Sequence, residues 1–319
     1  MPVSLAVVMD PISTIKVVKD STFAMLLEAQ RRGFALHYLE QRDLFLRDGR
    51  AWGSARPLSV TDRAERWFEL GPPVELPLGT LDAILMRKDP PFDLEYVHTT
   101  YLLERAEAEG ALVVNRPQSL RDANEKVFTA WFPECTPPTL LTRSMARLLA
   151  FLDEQGEIVV KPLDVMGGSS IFRLTRGEMN AKVVFEVMTA RETRFTLAQR
   201  FLPEIVDGDK RIIVVNGEPI PYCLARIPAP GDFRGNLAAG ARGEGRPLTD
   251  RDRWLCAQVG PELVRRGLLF VGLDVIGDFI SEINVTSPTG IRELDARFGL
   301  NIAGTLLDAV ETQLAARPR

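Results

Sequence analysis

The chain has 319 residues, 45% hydrophobic and 26% charged, with a net charge of −4; that is room for two or three domains with their own cores, and a balance too mildly acidic to point to nucleic acid or a membrane surface. Three cysteines (Cys135, Cys223, Cys256) lack CxxC spacing and the two histidines, His37 and His98, stand far apart, so no structural zinc site or haem attachment can be built and a Ser-His-Asp hydrolase is disfavoured. With no basic leader and no apolar run near 18 residues, the reading is a cytoplasmic protein of a reducing compartment.

The first third alternates strand and helix signals. Residues 3–9 read as a short buried strand, and Asp20-Ser21 caps a helix in which Phe23, Leu26, Leu27 and Gln30 follow the 3.6-residue period until Gly33 stops it. Strands are expected at 34–39, 81–86 and 111–114, with a helix at 94–109, and 41–80 is expected to be irregular decoration. These elements form a doubly wound α/β unit of about 120 residues. No G-x-G-x-x-G follows any of its strands, so it is not a dinucleotide-binding domain.

A second, smaller unit opens near Asn124, with a helix at 144–155, a strand at 157–162, a glycine loop at 164–170 and a strand at 171–174. A third unit is expected to open near Leu197, with strands at 197–202, 210–216 and 219–226. A loop rich in Gly, Arg and Pro follows at 228–246, then a helix at 250–266, a hairpin at 273–285 and an amphipathic helix at 302–314. The resulting division is 1–122, 123–198 and 199–319.

The hairpin carries the clearest chemistry. Glu282 and Asn284 are two apart and share a strand face. If the turn spans three residues, 277–279, Asp274 stands opposite Glu282 on that face, whereas a two-residue turn turns it away. Three converging hard oxygen ligands suit Mg²⁺ with substrate phosphates completing its shell; taken alone, the same hairpin reads equally well as plain core. Lys161 ends a buried strand directly before Gly167-Gly168-Ser169-Ser170, a loop whose backbone N–H groups can cradle an anion, and Lys126 lies upstream. It is not a Walker A loop, because G-x-x-x-x-G-K-[ST] is absent. Arg211, Arg226 and Asn236 matter only if the fold brings them to the hairpin, and the long glycine loop around Asn236 reads as a lid.

In that order, Lys126, Val159-Val160-Lys161-Pro162, Gly167-Gly168, Asp274 and Glu282-Ile283-Asn284 resemble the ATP-grasp superfamily. Further blocks resemble the bacterial glutathione synthetases within it: Val8-Met9-Asp10-Pro11, Arg87-Lys88-Asp89-Pro90-Pro91-Phe92-Asp93, Asp207-Gly208-Asp209-Lys210-Arg211, Arg234-Gly235-Asn236 and Asn284 through Glu293. The resemblance implies an ATP-grasp fold preceded by a Rossmann-like N-terminal domain. It implies a ligase that joins γ-glutamylcysteine to glycine through an acyl phosphate, and a homotetramer as the assembly. ATP would be held by Lys126, Lys161, Gly167, Gly168, Gln199, Phe201, Leu202 and Asp209. Arg211, Arg226 and Asn236 would act on the phosphoryl-transfer path, and Asp274, Glu282 and Asn284 would bind two Mg²⁺ ions, or Mn²⁺. A γ-glutamyl peptide carries both signs of charge, which Arg87, Lys88 and Asp89 match, while Ser287 and Arg292 would hold the glycine carboxylate.

Two positions depart from the family: Val165 and Ala241 stand where glycine is usual, which bears on loop closure. The alternatives are another ATP-grasp ligase, of the D-Ala-D-Ala or amino-acid-adding kind, and an ATP-binding regulatory module. The phosphate machinery is common to the ligases, so only the 87–93 and 286–293 blocks favour the glutathione branch.

Overall fold

The computed structural model describes residues 2–165, 167–235 and 240–317. Its first sheet has eight strands: β1 (Ser4–Val8), β2 (Ala35–Leu39), β3 (Leu44–Arg47), β4 (Arg50–Val60), β5 (Phe68–Leu70), β6 (Val74–Pro77), β7 (Ala83–Met86) and β8 (Leu112–Val114). The parallel heart runs β2-β1-β7-β8. Alternation along its strands divides the apolar side chains between two faces. Leu5, Val7, Ala83 and Leu85 join Phe23 and Leu26 of α1 (Ser21–Arg31) in one core. Ala6, Val8, Ile84 and Met86 join Tyr96 and Leu103 of α2 (Leu94–Ala108) in the other. Asp20 and Asp93 cap the two helices, accepting from the N–H groups of Phe23 and Tyr96 at 2.6 and 2.9 Å. The unit is doubly wound, and the short helix α3 (Pro117–Asp122) follows it.

The stretch 41–80 is not irregular: it supplies β3 to β6, all antiparallel to their partners. Its buried positions on β4 include Ala51, Gly53 and Ala55, small residues without the β-branched signature that marks a strand in sequence. Gly53 is small because a Cβ there would lie 2.8 Å from Leu39 and 2.9 Å from Leu78.

The second sheet is antiparallel, built from β9 (Thr139–Thr142), β10 (Glu157–Lys161), β11 (Phe172–Thr175) and β12 (Thr196–Arg200) in the order β11-β10-β12-β9. Helices α4 (Met145–Gln155) and α5 (Ala181–Met188) cover it through Leu148, Leu152 and Phe185. The strand expected to open the third unit is therefore β12, central in the second sheet between β9 and β10. A boundary at 198/199 would cut that strand. Its mixed run Thr-Leu-Ala-Gln-Arg gave no sign of which sheet it joins, because strand partners are set by tertiary pairing.

The third sheet follows the order β15-β14-β13-β16-β17, from β13 (Asp209–Val215), β14 (Glu218–Ile227), β15 (Arg242–Pro247), β16 (Phe270–Ile276) and β17 (Phe279–Asn284). Helix α6 (Asp250–Arg266) packs Leu255, Val259 and Leu263 beneath Ile212, Val214 and Leu273. On the opposite face Ile213, Val215 and Phe270 meet α7 (Ile291–Phe298) and α8 (Ile302–Ala316). The expected loop at 228–246 ends earlier than foreseen, because β15 pairs with β14 from Arg242. As a polar edge strand with no apolar face, β15 carries no period-2 hydrophobic signal.

Candidate active site

The face of the third sheet that is apolar at one end turns polar at the other. Period-2 spacing puts Asp209 and Arg211 in line with Ile213 and Val215 on β13, and Asp274 in line with Phe270 on β16. The hairpin joining β16 and β17 has a two-residue turn, since Ile276 pairs with Phe279 and Val275 with Ile280. The turn is thus Gly277-Asp278, the alternative expected to turn Asp274 away. Yet Asp274 pairs with Glu282, because Ser281 is an extra residue in β17. This β-bulge supplies the one-residue change of phase that a longer turn would have given.

Around Asp274 the side chains form a buried chain of alternating charge. Arg211 Nε donates to Asp274 Oδ1 at 2.5 Å and its Nη2 to Oδ2 at 3.1 Å. Arg226 Nη2 lies 2.9 Å from Asp274 Oδ2 and also donates to Asp209 Oδ2. Burial alone would raise the Asp274 carboxyl, but the Arg211 and Arg226 guanidiniums outweigh it and hold it well below the usual carboxylate range. Asp209 shows the reverse balance: burial pushes it up to about 6 against the pull of Arg226. Its second oxygen, Oδ1, is buried with no hydrogen-bond partner among the described residues.

Two lysines face this array from the second unit. Lys161, at the end of β10, is buried and donates from Nζ to Gln199 Oε1 at 2.8 Å; burial lowers its pKa. Lys126 Nζ sits 3.1 Å from Glu282 and donates to the Val165 carbonyl at 2.8 Å. For Lys126 burial works downward, but the Glu282 and Glu125 carboxylates prevail and raise it. Because Val165 contributes its backbone oxygen, the side chain that replaces the usual glycine does not interrupt this bond. Gly167 and Gly168 have φ of +73° and +77°, a conformation that favours glycine and lets successive N–H groups turn toward one point.

Loops of the first unit and strands of the second and third sheets wall one cleft of about 450 Å³. It brings together Lys126, Lys161, Gly167, Gly168, Gln199, Phe201, Leu202, Asp209, Arg211, Arg226, Asp274, Glu282, Asn284, Asp89 and Ser287. Ser287 donates its hydroxyl to Asp89. Three expected residues are not among the lining groups. Arg87 is buried behind the wall, donating to Thr22 Oγ1 at 3.0 Å and to the Pro288 carbonyl at 2.9 Å. Lys88 pairs with Asp10 at 3.0 Å, and Arg292 with both oxygens of Asp62. Asn236 lies outside the described residues. The cleft also contains groups that the sequence did not single out, among them Glu125, Lys16 and Glu293. Glu125 directly precedes Lys126, the one signal that could have marked it.

Two family models together cover nearly the whole chain: the prokaryotic glutathione synthetase N-terminal domain at residues 3–121 and the prokaryotic glutathione synthetase ATP-grasp domain at 125–299. The chain belongs to the prokaryotic glutathione synthetase family. Relatives of this family include the glutathione synthetase of Escherichia coli K12, 57% identical over 98% of this chain and 99% of its own length. That of Pseudomonas aeruginosa is 59% identical over 99% of this chain and the whole of its own. Solved structures share the ATP-grasp fold at lower identity: D-cycloserine synthetase DcsG has a TM-score of 0.66 at 15% identity, covering 96% of this chain and 99% of its own. The D-alanyl-alanine synthetase A of Vibrio cholerae has a TM-score of 0.61 at 12% identity, covering 99% of each chain. As a glutathione synthetase family member the chain is an ATP-dependent ligase, and the N-terminal model ends at residue 121, within α3, just before the ATP-grasp model opens at Glu125. No helix among the described residues is long and apolar enough to cross a membrane.

Proposed function

We propose that the chain joins the cysteinyl carboxylate of γ-glutamylcysteine to the amine of glycine, consuming ATP and giving glutathione, ADP and phosphate. The observation that carries this reading is the gathering of Lys126, Lys161, Arg211, Arg226 and the hairpin oxygens in one cleft of a chain matched end to end by this family.

A carboxylate does not acylate an amine in neutral water. Transfer of the γ-phosphoryl group of ATP to a carboxylate oxygen makes an acyl phosphate and releases ADP. The glycine amine then attacks the acyl carbon, and the tetrahedral intermediate expels phosphate as it collapses. No covalent protein nucleophile is needed; positioning and charge neutralisation carry phosphoryl transfer. Lys126, Lys161 and the N–H groups of Gly167 and Gly168 hold the polyphosphate. Leu202, which lines the cleft just beyond the end of β12, would meet the adenine edge through its backbone. Arg211 and Arg226 stabilise the transferring group, and the described cleft-lining part of the 228–243 loop (Phe233, Arg234, Gly235) helps keep water from the acyl phosphate.

The glutathione synthetases of this fold work with ATP and a divalent metal ion, and the hairpin fits one. All three side chains offer hard oxygen, and Asn284 donates its amide nitrogen to the Gly272 carbonyl at 3.1 Å, leaving its oxygen to coordinate. Asp274, Glu282 and Asn284 would hold Mg²⁺, as two ions or with Mn²⁺ in its place; bound there, it neutralises charge on the phosphate oxygens. This reading includes a cytoplasmic homotetramer and three units, 1–122, 123 to the end of β12, and the remainder.

The test is phosphate release from ATP and Mg²⁺ with γ-glutamylcysteine, with and without glycine, and the product mass. Glycine-dependent release with the tripeptide as product is expected. Turnover only with another acceptor, such as D-alanine, would overturn the substrate assignment.

A further inference from the structure

We propose that Glu125 is a positioning residue for the metal strand, fixing the end of β17 and with it the aim of Glu282 and Asn284. This rests on the metal assignment above. β17 is the last strand of its sheet, so one edge of it has no ladder partner among the described residues. Residues 125–126 occupy that edge. The Ile283 N–H donates to the Glu125 carbonyl at 2.8 Å. Where the chain leaves β17, one carboxylate oxygen of Glu125, Oε1, accepts from the Val285 N–H at 2.8 Å, the Thr286 N–H at 2.9 Å and the Thr286 hydroxyl at 2.8 Å. These contacts bracket Asn284 on both sides, and Lys126 adds the ion pair to Glu282 at 3.1 Å.

A buried hairpin end needs its N–H groups satisfied, and any polar neighbour could do that. The arrangement here is more specific. A single acceptor collects three donors, its residue adjoins the lysine that reaches both Glu282 and the Val165 carbonyl of the glycine loop, and both line the cleft. The oxygen's acceptor capacity is what the geometry uses; its charge is not required by any of the three bonds. Side chains that orient metal ligands typically change metal affinity by about 10- to 100-fold when removed.

The experiment measures ADP affinity by calorimetry with and without Mn²⁺, and takes their ratio as the metal enhancement. Glu125→Ala is expected to cut the enhancement by about tenfold or more while leaving metal-free ADP affinity within about twofold. Glu125→Gln, which keeps the Oε1 acceptor, is expected to restore most of it. Full enhancement in Glu125→Ala would overturn the proposal, as would a Glu125→Gln variant as impaired as the alanine. Should the alanine variant not fold, Thr286→Val removes one donor and is expected to lower the enhancement about two- to threefold; an unchanged value there overturns the proposal too. Glu282→Gln separates the two readings. If it retains the enhancement, the metal assignment itself fails; if it loses the enhancement while Glu125→Ala does not, only the role of Glu125 fails.

Discussion

Arg211 and Asp274 are direct cross-strand partners on β13 and β16, and their side chains meet again in a two-pronged pair, Nε 2.5 Å from Oδ1 and Nη2 3.1 Å from Oδ2. The backbone ladder therefore sets the spacing of the cation and the carboxylate at the centre of the cleft. Opposite charges on paired strand positions lie within reach of each other without loop adjustment. The guanidinium, though buried, still lines the cleft, and its remaining edge is held only by a 3.3 Å bond from Nη1 to the Thr289 carbonyl.

From this relationship Arg211→Ala is expected to lower kcat by about 10²- to 10³-fold, the range for removing one preorganised donor to developing charge. KM for ATP should change by less than about threefold, since Lys126 and Lys161 hold the polyphosphate in the ground state. Arg211→Lys should not restore activity, because an ammonium cannot make the two-pronged contact. Steady-state kinetics on the three enzymes decide the point. A large rise in KM with kcat intact would make Arg211 a ground-state binder only.

Gly272 is small for the sake of the same arginine. A Cβ there would lie 2.8 Å from Pro288 Cβ and 2.9 Å from Arg211 Cδ. Gly272→Ala is expected to displace the Arg211 stem, costing about 1–3 kcal/mol of stability and lowering kcat at least tenfold through misplacement. Urea unfolding and kcat measured together test this. A wild-type kcat in a destabilised Gly272→Ala enzyme would show that the arginine has more room than its neighbours imply.

How much of this was legible beforehand varies element by element. The strands and helices of the first sheet's core show in the sequence because their burial is two-sided or amphipathic and their caps are aspartates. β4 hides behind alanines and glycine, and β15 behind arginines, since neither presents the apolar periodicity that reveals a strand. The Asp274–Glu282 pairing was readable as a requirement of face. Its means was not, because a bulge at Ser281 and a longer turn shift phase equally. Roles that depend on distant partners stay hidden for the same reason: Arg87 is claimed by Thr22 and Pro288, and Arg292 by Asp62, contacts that only the folded chain creates.

Asp295 gives a pH signature independent of catalysis. Its Oδ1 accepts the Ile302 N–H at 3.1 Å at the start of α8, and burial pushes its carboxyl up to about 6. A folded-state value above the ordinary one means that the folded chain keeps a proton the unfolded chain has already lost. The group's contribution is therefore complete below about pH 4 and is lost as pH rises through about 6. Asn at this position cannot ionise and retains the accepting oxygen. Asp295→Asn is expected to be more stable than the parent at pH ~7.5 by about 1 kcal/mol, after allowance for the half-exposed position, and equal to it near pH 4. Urea midpoints at the two pH values check the sign. Equal stability at both would mean that Asp295 ionises as freely in the fold as outside it.

Arg292 separates resemblance from geometry. The resemblance makes it a holder of the glycine carboxylate, whereas in the structure its Nη2 lies 3.0 and 2.9 Å from the two oxygens of Asp62 and it does not line the cleft. Asp62 is exposed, so the pair is worth at most about 1 kcal/mol and could be exchanged for a ligand at little cost. The geometry predicts that Arg292→Ala changes KM for glycine by less than about threefold, against the roughly tenfold or greater rise expected on losing a charge-assisted bond worth about 1.5–3 kcal/mol. Asp62→Ala sharpens the comparison. If Arg292 leaves Asp62 to bind glycine, freeing it should lower KM for glycine. If it only ties the first sheet's insertion to α7, both variants should shift thermal stability slightly and leave KM where it was.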